Sequence, residues 1–114
     1  MPPRVSDFLP LAPRDFLILL ALAEGPQHGY GLIRAVEAAT DGTVAMDPAN
    51  LYRALKRMRR DGLVAETDAP DAERRRDYAL TTLGRRVLVA EAQRVDALAS
   101  AARARHVLPR GSGR

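Results

Sequence analysis

The sequence has no cysteine, no tryptophan, one lysine (Lys56) and two histidines, His28 and His106. Without cysteine there is no disulfide framework and no thiolate nucleophile. The usual ligands of a structural zinc site are missing too. Two histidines are too few for a His-rich metal centre, so no metal is expected. Long apolar runs are also absent. The longest, Phe16 to Ala23, falls well short of the ~20 residues that span a bilayer, and it is not placed like the apolar stretch of a signal peptide. The expectation is a soluble, cytoplasmic chain with no membrane partner. No nucleophile–base pair or phosphate-cradling glycine loop stands out, and Gly29 and Gly31 lack the preceding strand of a dinucleotide-binding turn. An enzyme is not expected, nor a cofactor.

What is present fits one soluble globular domain: 114 residues, 46% of them hydrophobic and 28% charged. The formal net charge is +4, and all but one of the 18 basic residues are arginine. Arginine's planar fork of donors suits phosphates and guanine edges. A basic balance of this size is by itself only a hint of a polyanion partner.

Residues 1–12 hold Pro2, Pro3 and Pro10 and read as an N-terminal extension. A first helix is predicted over Pro13 to Glu24. It is apolar on nearly every face, which implies burial on more than one side. Gly25-Pro26 stops it. The second helix runs from His28 to Thr40, with Leu32, Ile33, Val36 and Ala39 as its core stripe. Thr43 to Met46 is a candidate short strand. The third helix has the clearest start, with Asp47 as N-cap and Pro48 at the first helical position, and it ends at Asp61-Gly62. On a helical wheel Leu51, Leu55 and Met58 share one face. Ala49, Arg53, Lys56 and Arg60 lie opposite, Asn50 and Arg57 on one shoulder, Tyr52 and Arg59 on the other.

Leu63 to Thr67 and Arg76 to Leu80 read as two strands of a hairpin joined by the polar stretch Asp68 to Arg75. Thr81 or Thr82 caps a last helix that reaches about Arg105. Its Leu88, Ala92, Val95, Ala99 and Ala102 follow heptad spacing, and Leu98 widens the seam. The tail, 107–114, is expected to be disordered.

The predicted class is mainly α with a small β-hairpin (α+β). The order of elements is that of a winged helix-turn-helix over 13–81, followed by a long dimerisation helix over 82–106. In such a fold the third helix enters the major groove. Asn50 and Arg53, near its start, are the candidate base readers. Lys56, Arg57 and Arg60 are placed to hold phosphates. Arg74, Arg75 and Arg76, at the hairpin, are candidates for a groove contact from the wing position. The dimerisation candidates are Phe16 and Leu20 of the first helix with Leu88, Ala92, Val95, Leu98, Ala99 and Ala102 of the last.

Several motifs in this order resemble the PadR-like transcriptional regulators. They are Ile18-Leu19-Leu20-Ala21-Leu22 before Gly25-Pro26, His28-Gly29-Tyr30-Gly31-Leu32, Asn50 to Met58, Asp61-Gly62-Leu63-Val64, and Arg76-Asp77-Tyr78-Ala79-Leu80-Thr81-Thr82-Leu83-Gly84. The resemblance spans about Phe16 to Leu88. It implies a homodimeric regulator of double-stranded DNA, usually a repressor, reading an inverted-repeat operator. Tyr30 and Tyr52 join the DNA-binding candidates on this resemblance. A small-molecule effector is a further expectation. Two departures bear on it: no large separate sensor domain is expected after the last helix, and the sequence has no tryptophan to stack a flat drug. The alternative from another class is a winged-helix protein-interaction module that binds no DNA.

Overall fold

In the computed structural model, which describes residues 2–68 and 76–109, four helices and a small sheet enclose one apolar core. Helix α1 (Pro13–Ala21) starts on a proline, with Asp15 in its first turn. It is shorter than its periodicity predicts. Leu22 and Ala23 donate to the carbonyls of Leu19 and Leu20, and this tighter turn closes the helix ahead of Gly25. The expected burial on more than one side is seen in Ile18, Leu19 and Leu22, which are buried, and in Phe16 and Leu17, which are half-buried.

The two residues after Gly25-Pro26 are extended and form strand β1 (Gln27–His28). Helix α2 follows directly (Gly29–Ala39). Its Leu32 and Val36 are buried and Ile33 is half-buried, but Ala39, predicted in the core stripe, is exposed at the helix end. The short strand predicted at Thr43 to Met46 does not form. The backbone there closes on the end of α2 instead: Gly42 donates to Glu37 and Thr43 to Thr40, while the Thr40 hydroxyl accepts from Val44. Those local bonds occupy the groups a ladder would need. The short strand therefore precedes α2 rather than following it.

Helix α3 (Pro48–Arg60) is capped by Asp47, whose side chain accepts from the Asn50 N–H at 2.8 Å. The predicted core face is confirmed: Leu51, Leu55 and Met58 are essentially inaccessible. Gly62, at φ +82°, provides the left-handed turn that ends the helix. Strands β2 (Val64–Asp68) and β3 (Arg76–Leu80) pair antiparallel, with Glu66 opposite Tyr78. Strand β1 adds to the other edge of β3, with Gln27 opposite Tyr78, so the sheet order is β1-β3-β2.

Thr81 joins this sheet to helix α4 (Thr82–Ala104). Its N–H donates to the Leu63 carbonyl and its hydroxyl to the Gly62 carbonyl at 2.6 Å; the same hydroxyl oxygen accepts from Gly84 N–H at 2.9 Å. Gly84 lies against the Leu63 backbone so closely that any side chain there would collide with its carbonyl. Val87 and Leu88 then enter the core.

The segment from Val5 to Leu11 is packed against this body. Val5–Phe8 form a 3-10 turn, and Val5, Phe8, Leu9 and Leu11 lie on the core cluster. Their anchor on α4 is Glu91, which is only 2% exposed. Its carboxylate accepts from Arg94 Nε and Nη2 at 2.9 and 2.6 Å and from the Leu11 N–H at 3.3 Å. A buried carboxylate is tolerable only with such partners. The Arg94 bonds hold Glu91 below the usual carboxylate range, against the opposing effect of burial, and the Leu11 bond adds to them.

Because Glu91 is more acidic folded than unfolded, its contribution is complete at neutral pH and is lost as pH falls through the carboxylate range. Unfolding measured across that range should show Glu91→Gln less stable than wild type at neutral pH, with the gap narrowing in acid. A gap that stayed constant would contradict this role for the charge.

Candidate nucleic-acid interface

The face of α3 opposite its core residues carries Arg53, Lys56 and Arg60, all exposed. No ion pair or hydrogen bond among the described residues engages them. The amphipathic pattern explains this geometry. Burying Leu51, Leu55 and Met58 leaves one orientation for the helix, and that orientation puts the long cationic side chains in water.

The other candidates on α3 are not free in the same way. Asn50 donates its side-chain amide to Asp47 Oδ2 at 2.8 Å. Its carboxamide is therefore oriented by the N-cap residue, partly buried at the helix start. Arg57 is also committed within the fold. Nη1 and Nη2 donate to the two carboxylate oxygens of Asp15, each at 2.9 Å. The Asp15 hydrogen bonds raise the Arg57 pKa, against the effect of desolvation, and the Asp15 charge adds to the rise. The sequence pattern places Arg57 among the phosphate holders. In the fold it ties the first turn of α1 to the last turn of α3. Asp15, whose side chain is 11% exposed, carries no signal of this role in its local sequence.

Tyr52 stands half-exposed on the α2 side of α3. Its hydroxyl lies over Gly29 at the N-terminus of α2, where any added Cβ would strike it. Tyr30, in the first turn of α2, is 69% exposed. Both tyrosines are thus on the surface beside the helix that follows β1.

At the wing, Glu66 of β2 takes Arg59 at 2.7 Å and Arg76 at 3.4 Å. Arg59, absent from the candidates, is the α3 residue that reaches the sheet. Its shoulder position on the wheel was the available signal. Arg76 is exposed at the start of β3, while Arg74 and Arg75 lie outside the described residues. Next to Glu66, burial pushes the Tyr78 hydroxyl up in pKa, and the Glu66 charge adds to this.

On the other side of α3, an open groove of about 590 Å³ runs between its outer flank and the first turn of α1. Arg14, Asn50, Arg53, Lys56, Arg57 and Arg60 line it. Among the described residues no cluster of three or more His, Cys, Asp or Glu is placed to hold a metal, and no helix is long and apolar enough to cross a membrane.

The dimerisation candidates divide. Leu88 is 5% exposed and belongs to the core of the chain itself, a correction to its place in the heptad seam. The turn of α4 that carries it is pressed on the body by Val87 and Glu91, so Leu88 has little surface to offer a partner. Beyond Glu91 no described residue of α4 is buried. Ala92, Val95 and Leu98 are exposed there, with Ala99 and Ala102 half-exposed. On α1, Leu20 is exposed and Phe16 half-buried.

Comparison with known proteins bears on both family and fold. The model of the transcriptional regulator PadR-like family matches residues 18–90. An uncharacterized 37.1 kDa transposon protein of Streptomyces fradiae is 37% identical over 78 residues, covering 68% of this chain. The chain spans about a fifth of that relative's length (21%). Among solved structures, a PadR family transcription regulator from Clostridium difficile superposes with a TM-score of 0.69 at 21% identity, covering 81% of this chain and 96% of that one. Bacillus subtilis PadR in complex with operator DNA gives 0.62 at 19% identity, covering 71% of this chain and 46% of that one.

The Asp15–Arg57 pair can be tested for its hold on α3. Asp15→Asn should lower stability by about 1 kcal/mol, the scale of a partly exposed ion pair with good bidentate geometry. Urea denaturation of the single variants and of the double variant with Arg57→Ala measures it. A coupling energy of zero would remove the pair from any structural role.

Proposed function

Since the chain belongs to the PadR-like family of transcriptional regulators, we propose that it is a homodimeric repressor that binds double-stranded DNA sequence-specifically, with α3 in the major groove. The carrying observation is the face of α3: Arg53, Lys56 and Arg60 stand free in solvent, opposite a core face that fixes the helix. Arg53 is the proposed base reader, with Asn50 oriented beside it by Asp47. Lys56 and Arg60 hold phosphates, as do the hydroxyls of Tyr30 and Tyr52. Arg74, Arg75 and Arg76 are the proposed wing contacts. Arg57 acts through Asp15, as a positioning residue rather than a phosphate holder. That Bacillus subtilis PadR, which shares the fold, is solved in complex with operator DNA supports DNA as the partner.

The dimer reading rests on α4. Its last 13 residues, Ala92 to Ala104, span ~20 Å at 1.5 Å per residue. A helix without a packing partner is only marginally stable in water. Val95, Leu98, Ala99 and Ala102 give it an apolar face, and Phe16 and Leu20 of α1 extend that face. The proposed division of the chain is accordingly a DNA-binding body and a dimerisation helix, 82–106. A two-fold dimer would set the two α3 helices in successive major grooves, ~34–36 Å apart or a multiple of that. A small-molecule effector between α1 and α4 would act by favouring one dimer geometry over another. A regulator of this kind works in the cytoplasm, where its operator is.

The test is selection from random duplexes at about 150 mM salt, near physiological ionic strength. The expected product is an inverted repeat. Recovery of only salt-sensitive background would favour the protein-interaction reading. With the operator in hand, Arg53→Ala should relax base preference at one position of each half-site, at a cost of about 1–3 kcal/mol there. Lys56→Ala should weaken all sequences evenly. Uniform loss in both variants would overturn the assignment of Arg53 as base reader and Lys56 as phosphate holder.

A further inference from the structure

The groove between α1 and α3 holds more positive charge than the reading of bases requires. Among the described residues that line it, Asp15 is the one acid, and Arg57 occupies both of its carboxylate oxygens. Arg14, Arg53, Lys56 and Arg60 therefore share one concave surface with no counter-charge from the described residues. Such a surface suits a polyanion, because like charges held together gain most from a line of phosphates.

Its position says which phosphates. A helix ~10–12 Å across fills a major groove ~12 Å wide, so it lies between two phosphate strands. One flank of α3 carries Tyr52, over the start of α2. The opposite flank is the α1–α3 groove. We infer that this groove seats the backbone of the second DNA strand, and that Arg14, on the first helix, binds a phosphate from outside the helix-turn-helix and the wing. Asp15 is a positioning residue here: by gripping Arg57 it fixes the first turn of α1 beside α3, and so sets Arg14 alongside Arg53 and Arg60. This inference rests on the proposed DNA binding by α3.

The experiment measures affinity of the full chain against salt concentration, for the selected duplex and for one of unrelated sequence. Phosphate-ethylation interference on both strands of the selected duplex accompanies it. Arg14 is exposed, so its replacement leaves the core intact, and a thermal melt confirms this. Arg14→Ala should bind both duplexes several-fold more weakly. Its plot of log affinity against log salt should be shallower by about 0.9 per bound subunit, because one phosphate is no longer neutralised. Interference should vanish at phosphates of one strand within each half-site, on opposite strands in the two half-sites. Arg14→Glu should bind more weakly still. If Arg14→Ala matches wild type in slope and interference while Lys56→Ala weakens binding, the groove is overturned and the DNA reading stands. If wild type binds neither duplex, both are overturned.

Discussion

The burial of Leu51, Leu55 and Met58 is the constraint on which the rest of this molecule depends. All three are inaccessible to solvent, in one cluster with Ile18 and Leu19 of α1, Leu32 of α2 and Val87 of α4. Replacing any one by alanine in such a core costs ~2–5 kcal/mol, a large share of a small domain's stability. That seam fixes the rotation of α3 about its axis. Once the rotation is fixed, the free cations Arg53, Lys56 and Arg60 have only one direction to face. A helix with five basic residues in its sequence thus becomes a directed surface rather than a diffuse charge.

Two buried carboxylates, Asp15 and Glu91, refine this arrangement, and each accepts a hydrogen bond from a segment distant in the chain. Asp15 and Arg57 link α1 to α3 across 42 residues, and Glu91 receives the Leu11 N–H across 80. Removing one partner of a buried charge leaves the other unpaired, which makes such pairs specific about geometry even where their net contribution is small. The first pair sets the distance between α1 and the α3 flank. The second binds the N-terminal segment to α4. Helix α1 therefore sits between two electrostatic fixings, one toward the proposed DNA surface and one near the root of the proposed dimer helix. Movement of α1 relative to α4 would be carried to α3 through Asp15.

The wing side is built differently. Glu66 holds Arg59 and Arg76 together, so the end of α3 and the start of β3 share one carboxylate. Thr81 and Gly84 then lock that sheet to α4, through the hydroxyl that bonds Gly62 and Gly84 and through the close approach of Gly84 to Leu63. Sheet and α4 are consequently joined at one close-packed junction.

Local chemistry made much of this legible in advance. The 3.6-residue periodicity, Asp47-Pro48 at a helix start and Gly62 at its end define α3, and with it the core face and the free cations. The hairpin, α4 and the PadR-like order of motifs follow from the sequence in the same way. Tertiary structure alone decided the rest. Strand β1 depends on the edge of β3, some 50 residues away, which no local pattern in Gln27-His28 announces. Arg57 reads as a surface cation until Asp15 is packed beside it. Leu88 fits the heptad seam, but the fold takes it for the core before any partner can. Glu91 reads as a solvated acid on a helix, and becomes an anchor only because the N-terminal segment folds over it. Periodicity and capping are properties of neighbours within a turn or two. Ion pairs and edge pairings across dozens of residues are fixed by how the whole chain packs.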